Sequence, residues 1–116
     1  MINITILIPA YNESATIIEL LEAVARQKVD GFELEVLVID DGSTDGTRDL
    51  LDARPDLYTR LIKRDQNGGK GAAVVNGLAE ATGDYILFQD ADLEYDPNEY
   101  SKLFAPVSRF GADVVI

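Results

Sequence analysis

The stretch "GDYILFQDADLEYDP" (residues 83–97) joins two kinds of sequence that seldom adjoin. Tyr85-Ile86-Leu87-Phe88 is a short continuous apolar run, the pattern of a strand covered on both faces. Directly after it, Asp90, Asp92, Glu94 and Asp96 fall on alternate positions. Carboxylates at that spacing repel one another, so either the segment is a solvated loop or something positive belongs among them. The choice depends on what stands opposite the strand.

Working outward, the same alternation recurs. "ITILIPA" (4–10) and "ELEVLVIDD" (33–41) are apolar, β-branched runs, "TRLIKRD" (59–65) reads as a third strand, and "DYILFQD" (84–90) as the fourth. Between them, "SATIIELLEAVARQ" (14–27) sets Ile17, Leu20, Leu21, Val24 and Ala25 on one helical face. Asp45 is placed to cap a helix reaching about Ala53, with Pro55 beyond its end. "GKGAAVVNGLAEA" (69–81) predicts a helix of small residues, with Gly83 where a C-terminal cap belongs. Pro97 suits the first turn of a helix running to about Phe110, and "DVVI" (113–116) begins a fifth strand. Strands and helices joined by short loops predict an α/β domain over 1–116: a mostly parallel sheet, helices on both faces, Rossmann-like in outline. The apolar end reads either as a last strand inside the sheet or as the front part of a longer protein.

Composition narrows the chemistry. The 116 residues are 47% hydrophobic and 27% charged, an ordinary globular balance in one domain. No apolar run approaches the roughly 20 residues that span a bilayer, and the start of the chain reads as a strand, not a signal peptide. A cytoplasmic location is therefore expected. There is no Cys and no His, so disulfides, thiolate metal sites and imidazole acid–base chemistry are excluded. The net charge of −11 argues against a nucleic-acid polymer as partner, which would need clustered Lys and Arg. A nucleotide held through a divalent cation is compatible with it.

In doubly wound sheets ligands bind beyond the carboxyl ends of the strands. Here those ends carry "PAYNE", "DDGSTDGT", "QNGGKG" and "DADLEYD", all polar. Asp90 and Asp92 point the same way from an extended chain, and two such carboxylates suit Mg²⁺ or Mn²⁺ completed by substrate phosphates. Glu94 continues the phase as a third ligand, direct or through water. Asp40 and Asp41 stand side by side where the second strand ends, one expected toward the cap of the next helix and the other toward the cleft. Tyr11 offers a flat stacking surface and Glu13 an acceptor, while Asn12 reads most simply as a helix cap. "NGGKG" fails both the Walker and the dinucleotide patterns, because Arg64, Gly71 and Val74 occupy positions those patterns need. Its glycines still admit close backbone approach, and Lys70 reads equally as a charge for a diphosphate or as a solvent-facing side chain.

Together "IPAYNE", "VIDDGSTDGT", "NGGKGAAVVNGL" and "GDYILFQDADLEYDP" resemble, in order and spacing over nearly the whole chain, the GT-A glycosyltransferases of family 2. The last stretch looks most like the polyprenyl-phosphate branch, including dolichyl-phosphate mannosyltransferases. The resemblance implies a GT-A nucleotide-diphosphosugar fold, with Pro9, Ala10, Tyr11, Glu13, Ile39 and Asp41 lining a base and ribose pocket. It also implies that Asp90, Ala91 and Asp92 form the metal and diphosphate motif, and that Glu94 stands where some members place a third ligand. The implied reaction is inverting transfer from a UDP- or GDP-linked sugar, assisted by Mg²⁺ or Mn²⁺. Its acceptor would be a polyprenyl phosphate at the cytoplasmic face of a membrane. Family members continue past "ADVVI" with their acceptor-binding half, so 1–116 is expected to be the donor half, and its open sheet edge is expected to pair with a second copy or a further segment. Two other classes compete. A receiver-type signalling domain would need its acidic pair after the first strand, and a non-catalytic nucleotide-binding remnant or interaction module would carry the same donor motifs.

Overall fold

The computed structural model describes residues 1–93 and 96–104. Four strands, β1 (Ile2–Ala10), β2 (Phe32–Asp41), β3 (Arg60–Arg64) and β4 (Tyr85–Phe88), form one parallel sheet in the order β3-β2-β1-β4. The helices α1 (Ile17–Ala25), α2 (Thr47–Ala53) and α3 (Lys70–Glu80) make the crossovers. The two longest strands lie in the middle because their side chains are wanted on both faces. Ile4, Ile6, Leu7 and Ile8 of β1 and Leu37, Val38 and Ile39 of β2 are all fully buried. Each such side chain contributes roughly 1.5–3 kcal/mol when removed from water.

Period-two alternation divides these residues between two cores. Ile4, Ile6, Ile8, Val36 and Val38 meet Ile17, Leu20, Leu21 and Val24 of α1 and Leu51 of α2. Tyr100 and Phe104 close that side, with ring centroids 5.6 Å apart. Leu7, Leu37 and Ile39 pack on the opposite face against Ala73 of α3. The helices thus cover both faces, as expected. Small residues let α3 lie close, since a Cβ on Gly77 would come within 2.8–2.9 Å of the Ile39 and Leu7 side chains.

Three local expectations are corrected. On α1, Ala23 is buried and Ala25 is exposed, because the helix stops at Ala25 and its last turn leaves the core. Gly83 does not cap α3; Ala81 ends the helix in extended conformation. Gly83 instead crosses β1 so closely that a Cβ would lie 2.6 Å from the Thr5 nitrogen. Asn12 does not cap α1, whose boundary residue is Thr16. Pro97 does open a helical segment, a 3-10 turn over Pro97–Glu99 continued by residues 100–104, with Asp96 accepting from the Asn98 N–H at 2.9 Å. The stretch to Phe110 and the fifth strand lie outside the described residues.

The Gly83 crossing is fixed by Glu35. Gly83 N–H donates to Thr5 Oγ1 (2.9 Å), and Thr5 Oγ1 donates to Glu35 Oε1 (2.7 Å). Thr82 adds its N–H (3.1 Å) and its hydroxyl (2.7 Å) to the same carboxylate. Burial pushes the Glu35 carboxyl up, but the Thr82 and Thr5 hydrogen bonds and the Arg60 charge outweigh it and bring it below the ordinary 4.5. A lowered folded-state value stabilises the fold fully above the ordinary value, and that stability is lost as pH falls through the folded one. Glu35→Gln is therefore expected to cost about 2 kcal/mol near neutrality, from the lost charged acceptor. The cost should shrink as urea unfolding is repeated at decreasing pH below 4.5. A penalty independent of pH would mean that shape and not charge holds the crossing.

Candidate functional site

The order β3-β2-β1-β4 reverses direction between β1 and β4, and a crevice opens at that switch point beyond the strand ends. A cleft of about 520 Å³ lies there, walled by Pro9, Ala10, Tyr11 and Glu13 after β1, Asp41 at the end of β2, Asn67, Gly69, Lys70 and Ala73 from the α3 side, and Asp90, Ala91 and Asp92 after β4. Nine of the eleven residues singled out in the sequence thus meet at one place: Pro9, Ala10, Tyr11, Glu13, Asp41, Lys70, Asp90, Ala91 and Asp92. Ile39 is not in the wall; it is fully buried beneath it, packed with Leu7, Leu37 and Ala73. Glu94 lies outside the described residues.

Parity along β2 explains the Asp pair. Asp40 follows Val36 and Val38 onto the α1–α2 face, where it is fully buried. There it accepts from the Ser43 N–H (3.3 Å) and from Arg48 Nε (2.5 Å). Asp41 follows Leu37 and Ile39 onto the α3 face and reaches the cleft. The parallel register sets Arg64 beside it, and Arg64 Nε donates to Asp41 Oδ1 at 2.7 Å while the Gly68 N–H donates to the same oxygen at 3.2 Å. Both bonds fall on one oxygen, which leaves Oδ2 as an acceptor at the wall. Arg48 links the two aspartates, since its Nη2 donates to the Arg64 carbonyl at 2.6 Å.

The loops around the cleft are tied together. Asn12 adopts a left-handed conformation (φ 54°), tolerable for Asn, and turns its amide to the β2 loop. Its Oδ1 accepts from the Thr44 N–H (2.7 Å) and its own N–H donates to Ser43 Oγ (3.0 Å). Glu13 N–H donates to Thr47 Oγ1 (3.0 Å) and Ser14 N–H to Asp45 (3.2 Å). Asp45 also accepts from Thr47, through its hydroxyl (2.5 Å) and its N–H (3.0 Å), but it stands one residue before the cap position expected of it, because Gly46 is the boundary residue of α2. Chiefly through the Thr47 hydroxyl, its carboxyl is held down to about 2. Thr16 Oγ1 donates to the Ala91 carbonyl at 2.7 Å, fastening the segment after β4 to the start of α1. The walls that carry Tyr11, Asp41 and Asp90–Asp92 are therefore cross-braced, so the geometry is held in advance of any ligand.

The electrostatics of the floor are mixed. Lys70, the first residue of α3, pairs its ammonium with Asp90 Oδ1. The first turn of α3 has no acidic residue, and its N-terminal N–H groups add to the positive character that suits a phosphate. Among the described residues no group of three or more His, Asp or Glu side chains is placed to hold a metal ion. Asp90 and Asp92 are two oxygen donors in one wall, and a cation is already attracted to one of them. That donor set fits Mg²⁺ or Mn²⁺ of the kind that takes one or two carboxylates and draws its other ligands from phosphate and water. Sequence reading missed Arg48, Arg64 and Asn67. Asn67 adjoins the glycine loop and Arg64 ends a strand, so both carried a positional signal; Arg48 carried none.

Comparison with known proteins agrees with this fold. The chain is similar to a dolichol-phosphate mannosyltransferase of Pyrococcus furiosus, 31% identical over 115 residues, covering 98% of this chain and 32% of that protein. Among solved structures it is similar to Staphylococcus aureus TarS 1–349 in complex with UDP-GlcNAc, with a TM-score of 0.80, 28% identity, and coverage of 94% of this chain and 32% of that one. It is also similar to the mannosyltransferase PcManGT of Pyrobaculum calidifontis in complex with GDP-Man and Mn²⁺, with a TM-score of 0.65, 37% identity, and coverage of 77% of this chain and 27% of that one. The chain spans about a third of the length of the relatives it matches. No helix among the described residues is long and apolar enough to cross a membrane. With its sheet, switch-point cleft and GT-A neighbours, and with residues 5–116 matching the model of "Glycosyl transferase family 2", the chain belongs to that family.

Proposed function

We propose that residues 1–116 form the donor-binding part of a metal-dependent, inverting glycosyltransferase. The observation that carries this reading is the convergence of Asp41, Lys70, Asp90 and Asp92 on one braced cleft at the sheet's switch point. Its substrate is a nucleoside-diphosphate sugar. The free oxygen of Asp41 accepts a base N–H, with Arg64 and Gly68 fixing the carboxylate, and Tyr11, 44% exposed, offers its ring to the base. Pro9, Ala10 and Glu13 shape the ribose side. Asp90 and Asp92 hold the divalent cation, which when bound neutralises charge on the leaving diphosphate. Lys70 and the α3 N-terminus face the same phosphates.

In the transfer itself, an acceptor oxygen forms a bond to the anomeric carbon while the bond from that carbon to the diphosphate breaks on the opposite face. The electron pair leaves with the nucleoside diphosphate. A polyprenyl phosphate at the cytoplasmic face of a membrane is the proposed acceptor, in keeping with the similarity to a dolichol-phosphate mannosyltransferase. Because such an acceptor is already anionic, no strong general base is required. Among the described residues the edge strands of the sheet are β3 and β4, and these are where a second copy or a further segment would pair.

Calorimetric titration with UDP and GDP, each with and without Mn²⁺, tests the reading and names the base. One nucleotide is expected to bind in a Mn²⁺-dependent manner. Outer-shell changes at metal sites cost ~10–100-fold in affinity, so Asp92→Ala, which removes a ligand, should cost at least that. Absence of binding by either nucleotide would reject the donor-site reading in favour of a non-binding remnant.

A further inference from the structure

The Lys70–Asp90 pair joins two groups that the donor site needs for different partners. Lys70 begins α3 and Asp90 follows β4, so the contact spans the cleft and is not a local accident of sequence. Lys70 is 65% exposed and Asp90 42% exposed, and the ammonium rests on Oδ1. A hard divalent cation seeks a carboxylate oxygen in that same wall. Two cations cannot occupy one oxygen at close range without strong repulsion. The Lys70 stem, in contrast, is long and rotatable, and its charge can turn toward another anion in the cleft.

We propose that Lys70 is an exchangeable occupant of the cation site: its ammonium holds Asp90 until a divalent cation and a nucleoside diphosphate arrive together, and it then transfers from the carboxylate to the diphosphate. The inference rests on the donor-site reading and adds a consequence that reading lacks. Lys70 competes with the metal when metal comes alone, and assists it when diphosphate is present. Metal and nucleotide therefore bind with positive coupling, and the coupling has a named source. Linkage makes it reciprocal, so each ligand tightens the other by the same factor.

Neighbouring groups support the exchange. Gly69 precedes Lys70 with φ 88° and has open space around it, so the start of α3 presents backbone as well as the ammonium to the cleft. Asn67, in the same wall, adds an amide. A diphosphate beside the metal thus also meets donors on the α3 side, and the ammonium has somewhere to go once Asp90 is taken.

Electron paramagnetic resonance, which counts free Mn²⁺, tests this on the whole chain with Lys70→Met and Lys70→Arg. Binding is measured with Mn²⁺ alone, and then with saturating UDP or GDP, whichever binds the wild type. Lys70→Met should bind Mn²⁺ alone about two- to fivefold more tightly, the range set by an exposed carboxylate–ammonium pair. With nucleotide present it should bind Mn²⁺ more weakly than the wild type. The coupling factor should therefore drop by about tenfold, the two changes adding. Lys70→Arg should keep most of the coupling. Unchanged or weaker binding of Mn²⁺ alone by Lys70→Met, with the wild type binding normally, would overturn the exchange and leave the donor site standing. Failure of the wild type to bind Mn²⁺ with either nucleotide would overturn both.

Discussion

Replacing Arg48 by Met is expected to destabilise the protein by about 2–4 kcal/mol, although Arg48 touches no part of the cleft. The reason is Asp40, which is fully buried and has Arg48 as its cationic partner at 2.5 Å. Removing one member of a buried pair strands the other charge, at a cost of about 3–5 kcal/mol. Arg48 is itself 30% exposed, so water reaching the gap lowers the figure somewhat. The Met side chain keeps the aliphatic contacts of the stem while removing both hydrogen bonds, to Asp40 and to the Arg64 carbonyl. Urea unfolding should show a lower midpoint with an unchanged slope. Adding Asp40→Asn to Arg48→Met should restore part of the loss, because a neutral amide no longer needs the guanidinium and can still accept from the Ser43 N–H. A double variant no more stable than Arg48→Met would show that stranded charge is not the cause.

The same pair marks the boundary of what local sequence can reveal. The buried strands were legible because a strand covered on both faces leaves a continuous apolar run, and β1, β2 and β4 each have one. The division of labour between Asp40 and Asp41 was legible as well, since period two forces neighbours onto opposite faces. The cleft followed from topology: polar strand ends of a parallel sheet must converge at one edge. What escaped were interactions made across the fold. Arg48 lies on α2, and nothing in "TRDLLDA" shows that it reaches back to β2 or across to β3. Arg64 meets Asp41 only through the β2–β3 register, which depends on knowing which strands are neighbours. Gly83 lies where a helix cap often stands, and only the approach of β1 gives it another purpose. Ile39 shares its face of the sheet with Asp41 but, two residues short of the strand end, is packed against Ala73 and lies beneath the cleft and not in its wall.

Gly42→Ala is expected to be as damaging as Arg48→Met, and it should damage ligand binding in step with stability. Gly42 follows the last residue of β2 with φ 74°, a left-handed conformation that costs an L-residue about 1–2 kcal/mol. A Cβ there would lie 2.6 Å from the Asn67 nitrogen and 2.8 Å from the Gln66 carbonyl carbon, both backbone atoms. Neither can rotate aside, so the loop before α3 must move bodily, at a further cost of about 1–3 kcal/mol. The displaced segment carries Asn67 and Gly68, whose N–H holds Asp41, and leads into Gly69 and Lys70. Binding of nucleotide should therefore weaken even where the variant remains folded. Gly46→Ala separates the two causes, since Gly46 also has positive φ (97°) and immediately precedes α2, but no atom lies within 4 Å of the point where its methyl group would stand. It should carry the conformational cost alone, about 1–2 kcal/mol, with nucleotide affinity unchanged. Equal losses of stability for Gly42→Ala and Gly46→Ala in urea, with equal calorimetric affinities, would mean that the two loops yield freely and that the close approach at Gly42 does not hold the site together.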